Sequence, residues 1–246
     1  MKKIYSIVII TAGMLVASRA IPDDACSHVD DAFFKKNMPS AEITVLSKKP
    51  SSGLCEVILS NRGQVISIYA GNDFIISGRM YKNNACLTEE TLDGLRKATF
   101  KKYYSLLSEA TVFTISPKKK GPRIVYLFTD PLCPYCNHVE GKLEDVANRY
   151  GATIHVILVA VNGKKSKEKC VEAACRGADF SSYRSADWKK ASTAPADLCE
   201  KGKTTSDLAD DLSDKLLVNG VPSFYLDSGK FINGPNIPAL EAALED

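Results

Sequence analysis

The chain is poor in the residues that usually anchor metals, span membranes or grip polyanions. It holds three histidines (His28, His138 and His155), one tryptophan (Trp188) and a single Cys-x-x-Cys. A zinc site built on that motif would need two more ligands at matching spacing, and no second CxxC supplies them. The N-terminal apolar run, Ile4 to Val16, is too short to cross a bilayer. It follows Lys2 and Lys3 and leads to Ser18-Arg19-Ala20, a small-x-small pattern. Residues 1–20 are therefore expected to be a cleaved secretory signal peptide, with Ile21 as the mature N-terminus. Asp23-Asp24-Ala25 before Cys26 does not fit a lipoprotein signal. Nor does one sign of charge dominate. The formal charge is +3, and without Lys2, Lys3 and Arg19 the 32 basic residues become 29, equal to the 29 acidic ones. Nothing argues for nucleic acid as a partner. The remaining residues suffice for two cores.

What is present is cysteine: Cys26, Cys55, Cys86, Cys133, Cys136, Cys170, Cys175 and Cys199. The stretch from Arg123 to Tyr150 gives two of them a context. Arg123 to Thr129 is an apolar run between Lys118-Lys119-Lys120-Gly121 and Asp130-Pro131, and reads as a buried strand. After Cys133-Pro134-Tyr135-Cys136, the residues Val139, Leu143, Val146 and Tyr150 recur at helical spacing, and Gly151 stands where a helix would end. The thiols thus fall at a strand-to-helix junction, where the helix N-terminus favours a thiolate. Cys133 is expected to be the nucleophile. Cys136, a turn further in, is expected to be more buried and to resolve a mixed disulfide. A half zinc site or a structural disulfide are the other uses of a CxxC. Tyr135 should be exposed, where it can touch substrate. Asp130 reads as loop structure, with tuning of the thiol as its alternative, and His138 as an exposed helix residue.

At these residues the sequence resembles a known family. FTDPLCPYC is similar to the active-site stretch of the bacterial periplasmic thiol–disulfide isomerases of the DsbC and DsbG type, within the thioredoxin superfamily. NGVPSFYL, with Val221 before Pro222, resembles the cis-proline loop of that superfamily. A cis X-Pro bond makes a tight turn and leaves the preceding backbone groups free to pair with a bound strand. The dipeptide alone would equally suit a trans bond entering an edge strand. The resemblance implies a substrate-binding role for Val221 and Pro222. It also implies a structural disulfide between Cys175 and Cys199, for either of which Cys170 is a competing partner. The pairing of Cys26, Cys55 and Cys86 stays open, an intermolecular link included.

Before the active site, Ser27 reads as the N-cap of a short helix closed by Pro39. Leu54 to Ser60, Gln64 to Ala70 and Phe74 to Tyr81 read as strands, parted by Asn61-Arg62-Gly63 and Gly71-Asn72-Asp73, with Glu42 to Ser47 a fourth. Gly53 to Tyr81 is similar to the N-terminal dimerisation domain of the isomerases, which implies a homodimer paired through an edge strand. A small domain packed in cis is the alternative. Leu87 to Ala110 reads as a connecting helix capped by Thr88, holding the two domains about 30 Å apart. SPKKKGPR, Ser116 to Arg123, reads as a solvated link.

Beyond the active site, Ala152 to Val161 reads as a central strand and Lys164 to about Leu217 as a helical insertion, with Trp188 as packing. Ser223 to Asp227, a turn, Phe231-Ile232 and a helix from Ile237 to Leu244 complete the chain. The expected class is mixed α+β and α/β: a signal peptide (1–20), a small antiparallel cystatin-like dimerisation domain (21–85), a linker helix and loop (86–120) and a thioredoxin fold with a helical insertion (121–246). The resemblance implies a periplasmic disulfide isomerase acting on misfolded or misoxidised exported proteins, with some chaperone activity. It implies a membrane thiol reductase as electron donor, and no cofactor. Val221 stands where the isomerases usually carry threonine, as in the monomeric oxidases, so a dithiol oxidase or reductase is one alternative. A mainly non-catalytic chaperone is the other.

Overall fold

The computed structural model describes residues 25–61, 64–177, 179–185, 189 and 191–245. The signal peptide, Arg62, Gly63 and Trp188 lie outside the described residues. The N-terminal part begins with α1 (Asp31–Asn37) and an antiparallel sheet in the order β1 (Ile43–Ser51), β2 (Leu54–Asn61), β3 (Gln64–Ala70) and β4 (Ile75–Ser77). Asp30, not Ser27, caps α1: its carboxylate accepts from Phe33 N at 2.9 Å. Phe33 and Phe34 pack on Val57, Leu59 and Ile68. A disulfide joins Cys26 to Cys55, 29 residues apart, a loop closure worth about 3 to 4 kcal/mol by chain entropy. The strand expected from Phe74 to Tyr81 is broken. Its pairing stops at Ser77, and β5 (Tyr81–Lys82) and β6 (Ala85–Cys86) form a separate hairpin. Asn83 and Asn84 turn that hairpin with φ of 50° and 63°, the left-handed pair that a two-residue turn demands and asparagine tolerates.

Helix α2 (Leu87–Tyr103) follows, and Thr88 is not its cap. The Thr88 hydroxyl is buried, takes the N–H of Met80 at 2.8 Å and pairs with the Tyr69 hydroxyl. Glu56, also buried, accepts from Tyr69 at 2.8 Å through Oε1 and from Thr91 at 2.8 Å through Oε2. These bonds dock the first turn of α2 on the sheet. At its other end Phe100 stacks on Tyr225 at 5.0 Å, and the Arg96 guanidinium lies 4.3 Å over the Phe231 ring. At about 26 Å, α2 is packed at both ends rather than a free rod.

The second sheet runs β11 (Phe231–Asn233), β10 (Ser223–Leu226), β8 (Ile124–Thr129), β9 (Thr153–Leu158) and β7 (Thr111–Ile115). Strand β7 was not expected, and it starts this sheet inside the stretch assigned to the linker. It pairs antiparallel with β9 through a bulge between Thr111 and Phe113. Only β8 and β9 are parallel, the pair whose crossover carries the CxxC. The sheet is covered on both faces. Val125 and Leu127 face a core with Val139, Leu143 and Ile154, while Tyr126 and Phe128 face one with Phe100, Leu212 and Tyr225. The helix expected from the CxxC to Tyr150 is two, α3 (Pro134–Glu140) and α4 (Leu143–Tyr150), parted at Gly141-Lys142. Gly151 ends α4 at φ +64° with Gly121 N against its carbonyl at 2.8 Å, so a side chain there would meet backbone at 3.1 Å. The insertion holds α5 (Lys164–Arg176), α6 (Phe180–Ser185) and α7 (Glu200–Lys215), and α8 (Ile237–Glu245) closes the chain.

Candidate active site

Strand β8 delivers the chain to Asp130, and α3 starts four residues on. Between them the loop is held by Asp130, which is fully buried. Its Oδ1 accepts from Leu132 N at 2.7 Å; its Oδ2 accepts from Val161 N at 3.0 Å, Asn162 N at 3.1 Å and Asn162 Nδ2 at 3.0 Å. The Asp130 carbonyl takes the N–H of Cys133 at 3.1 Å. The carboxylate thus ties the loop before the thiols to the loop after β9.

Cys133 sits at the N-cap of α3, with Pro134 in the first turn, where its missing N–H costs nothing. Cys136 is fully buried and Tyr135 is 68% exposed. His138 is exposed on the outer face. Burial pushes the Cys136 thiol well up, offset in part by the Thr129 hydroxyl and the Asp130 backbone. The Val221–Pro222 bond is cis, and the Val221 carbonyl lies 3.9 Å from Cys133 Sγ. Cys133, Cys136 and the Val221-Pro222 turn are therefore one site, with Tyr135 at its rim. A cleft of about 480 Å³ lies beside the turn, lined by Val161, Val218, Asn219 and Gly220 on one side and Gln64, Val65 and Ile66 on the other.

Cys175 and Cys199 form a pair of their own. A disulfide joins them across 24 residues, tying the end of α5 to the N-cap of α7. The two helices approach so closely that a Cβ on Gly202 would lie 2.3 Å from Cys175 Sγ and 2.6 Å from the Val171 carbonyl. Cys170 is a buried free thiol, and Cys86 a half-buried one. Among the described residues no three His, Cys, Asp or Glu side chains are placed to hold a metal ion.

Three residues beneath the site were not singled out by the sequence. Glu140 is 1% exposed, and its Oε1 accepts from Thr129 Oγ1 at 2.8 Å and from Tyr183 OH at 3.1 Å. Lys189 Nζ lies 3.5 Å from Glu140 Oε2 and 3.9 Å over the Tyr183 ring. Burial pulls the Lys189 ammonium down, against the nearby carboxylate. A signal for Glu140 existed, since Cys136, Val139, Glu140 and Leu143 form one helical stripe with a single charge in it.

Residues 114–246, more than half of the chain, match the family model of a thioredoxin-like domain. The chain belongs to the thioredoxin-like family. Chemically, a thioredoxin-like domain with this dithiol is a thiol–disulfide oxidoreductase. Comparison with curated protein sequences gives no match. Among solved structures, a linker-deletion variant of ScsC from Proteus mirabilis is similar at 17% identity and a TM-score of 0.51, over 65% of this chain and 86% of that one. The thiol–disulfide exchange protein alpha-DsbA2 from Wolbachia pipientis is similar at 14% identity and a TM-score of 0.50, over 63% of this chain and 97% of that one. At such identities the likeness is one of fold. Among the described residues no helix is long and apolar enough to cross a membrane.

Proposed function

We propose that this thioredoxin-like protein is an exported, periplasmic thiol–disulfide isomerase of the DsbC and DsbG type, working as a homodimer. The observation that carries the reading is the pairing of a CPYC dithiol, Cys136 fully buried and Cys133 7% exposed, with a backbone carbonyl beside Cys133 that a substrate strand can use. In the cycle, the Cys133 thiolate attacks a substrate disulfide, forming a mixed disulfide and releasing one substrate thiolate. Either a second substrate thiolate attacks that bond and restores Cys133, or Cys136 does and leaves Cys133–Cys136 oxidised. The second outcome needs two electrons back, for which a membrane thiol reductase is the donor. Tyr135 and Val161 give the rim an exposed apolar surface for unfolded segments, which suits chaperone-like binding.

The N-terminal sheet supports the dimer. Its edge strand β4 carries Ile76, 53% exposed, and Tyr81 of β5 is 65% exposed. Edge strands of this kind pair with other chains. A second reading, a dithiol oxidase or reductase, is favoured by Val221, which offers no hydroxyl beside the thiols. The test is recovery of activity from scrambled, oxidised ribonuclease with a small thiol present, alongside Cys133→Ser, with the mass in solution measured by light scattering. Recovery lost in the variant supports isomerisation; no recovery, with fast oxidation of reduced ribonuclease, supports the oxidase. Binding of unfolded ribonuclease that persists in the variant without any turnover supports a chaperone.

A further inference from the structure

Two hollows of opposite charge border the active site. Among the described residues, the cleft beside the cis-proline turn has Asp214 as its single charged lining residue. A second cavity, of about 310 Å³, opens against Leu132, the residue before Cys133, and the charged groups lining it are Lys165, Lys169, Lys189 and Glu168. Its walls are held from behind. Glu172 is 1% exposed and accepts from Lys169 Nζ at 2.7 Å, from Thr193 Oγ1 at 2.9 Å and from the Arg176 guanidinium, which binds the 191–193 segment to α5. Lys189 donates to Asn137 Oδ1 at 3.0 Å, which ties it to α3. Three cations and one carboxylate leave the lining with an excess of positive charge. Behind it stand Glu172 and Glu140, equalled in number by Arg176 on Glu172 and by Lys164, 3.9 Å from Glu168. Of the lysines on α5, Lys164, Lys167 and Lys169 have carboxylate partners. Lys165, exposed on the cavity wall, has none among the described residues.

We propose that this cavity receives the carboxylate of an aspartate or glutamate lying within two residues of the substrate cysteine that Cys133 attacks, so that the protein selects disulfides with an acidic flank. This rests on the thiol-exchange reading above. The reach is short. Leu132 and Cys133 have Cα atoms about 3.8 Å apart, and in an extended substrate the residue two places from the cysteine stands about 7 Å away on the same face. Lys165, with no carboxylate of its own to satisfy, meets the incoming charge at the cavity wall. Asp214 makes the hollow beside the cis-proline turn unfavourable for the same group. The selection is therefore one-sided: an acidic residue speeds attack when it follows the substrate chain towards Leu132, and not when it points towards the turn.

The test uses the full chain carrying Cys136→Ser, with both cystines intact, and short peptides whose one cysteine is a pyridyl disulfide. The Cys133 thiolate bonds to the peptide sulfur, the peptide-to-pyridyl S–S bond breaks, and pyridine-2-thiolate leaves with the electron pair; its absorbance gives the rate. The peptides differ only in carrying Glu or Gln at one position up to two residues before or after the cysteine. Glu on one side of the cysteine should react about tenfold faster than Gln, the effect of two charges about 7 Å away in water. The preference should fall below about twofold in about 1 M salt. Lys165→Glu should cancel it. Lys35→Glu, the same change of charge on the exposed face of α1, should leave it within about twofold. Equal rates for Glu and Gln peptides would overturn the proposal, as would a preference that Lys165→Glu leaves whole. A preference lost equally in Lys35→Glu would overturn it too, since net charge and not the cavity would then be the cause. If no peptide adds to Cys133, the neutral ones included, the exchange reading itself fails and the selectivity with it.

Discussion

Asp130→Asn is the change that best separates loop structure from thiol tuning. The carboxylate serves four donors, one on Oδ1 and three on Oδ2. In asparagine one oxygen becomes an amide nitrogen. The least costly orientation keeps the remaining oxygen towards Val161 and Asn162 and turns the nitrogen on Leu132 N, leaving that buried N–H unpaired. An orphaned donor costs about 1 to 3 kcal/mol, and three bonds that lose their ionic acceptor drop by about 1 kcal/mol each. Relief from burying a charge offsets part of this, so the net expectation is a loss of about 3 to 4 kcal/mol. Urea unfolding of the reduced protein, followed by far-UV circular dichroism, reads this as a lower midpoint for the thioredoxin-like domain. The equilibrium with glutathione, measured in parallel, should move only as far as the loop is disturbed. The reasoning fails if stability falls by less than about 1 kcal/mol while the potential of the dithiol moves by more than about 30 mV, which is about 1.4 kcal/mol. Asp130 would then act on the thiols and not on the loop.

Gly202→Ala should destabilise the insertion by about 2 kcal/mol or more, since the new methyl would overlap Cys175 Sγ and the Val171 carbonyl; thermal unfolding with the disulfide intact checks this. Phe100→Ala removes a buried ring stacked on Tyr225, and should lower stability by about 3 to 4 kcal/mol in urea. A loss under about 1 kcal/mol would mean that α2 is not anchored there. The thiols of Cys136 and Cys170 are both pushed up by burial. Each stays protonated in the folded chain while its unfolded counterpart ionises above about pH 8.5. The folded state then holds more protons, so the stability of the reduced protein is intact below that pH and falls above it, by about 1.4 kcal/mol per pH unit for each thiol. A Cys136→Ala, Cys170→Ala double variant should show a flatter profile between pH 9 and pH 10.

The elements that were legible in the sequence are those whose signals are local. Strand β8 is an apolar run with polar ends, β2 and β3 are β-branched runs, and Gly151 and the NGVPSF turn are marked by glycine and proline. What was missed depends on partners far along the chain. Thr88 has the chemistry of a cap, but its hydroxyl is taken by Tyr69 and Met80. Strand β7 is five residues at a sheet edge, and only β9, some forty residues later, makes it a strand. The break at Gly141 is invisible to periodicity because Val139, Leu143 and Val146 keep facing one core across it. Cysteine pairing has no local signal at all, and Cys26 and Cys55 come together only because α1 packs on β2. Glu140 was passed over because an apolar stripe directs attention to its apolar members.

A protein that exchanges disulfides shares its compartment with its own cystines, and the two here are not equally sheltered. Cys26–Cys55 lies inside the N-terminal core, whereas Cys199 reaches the surface of the insertion. A neighbouring molecule's Cys133 can therefore find only one of them. Under rising thiol concentration the helical insertion should come unfastened while the N-terminal fold stays shut, so the protein's vulnerability to its own chemistry is confined to the module beside the active site.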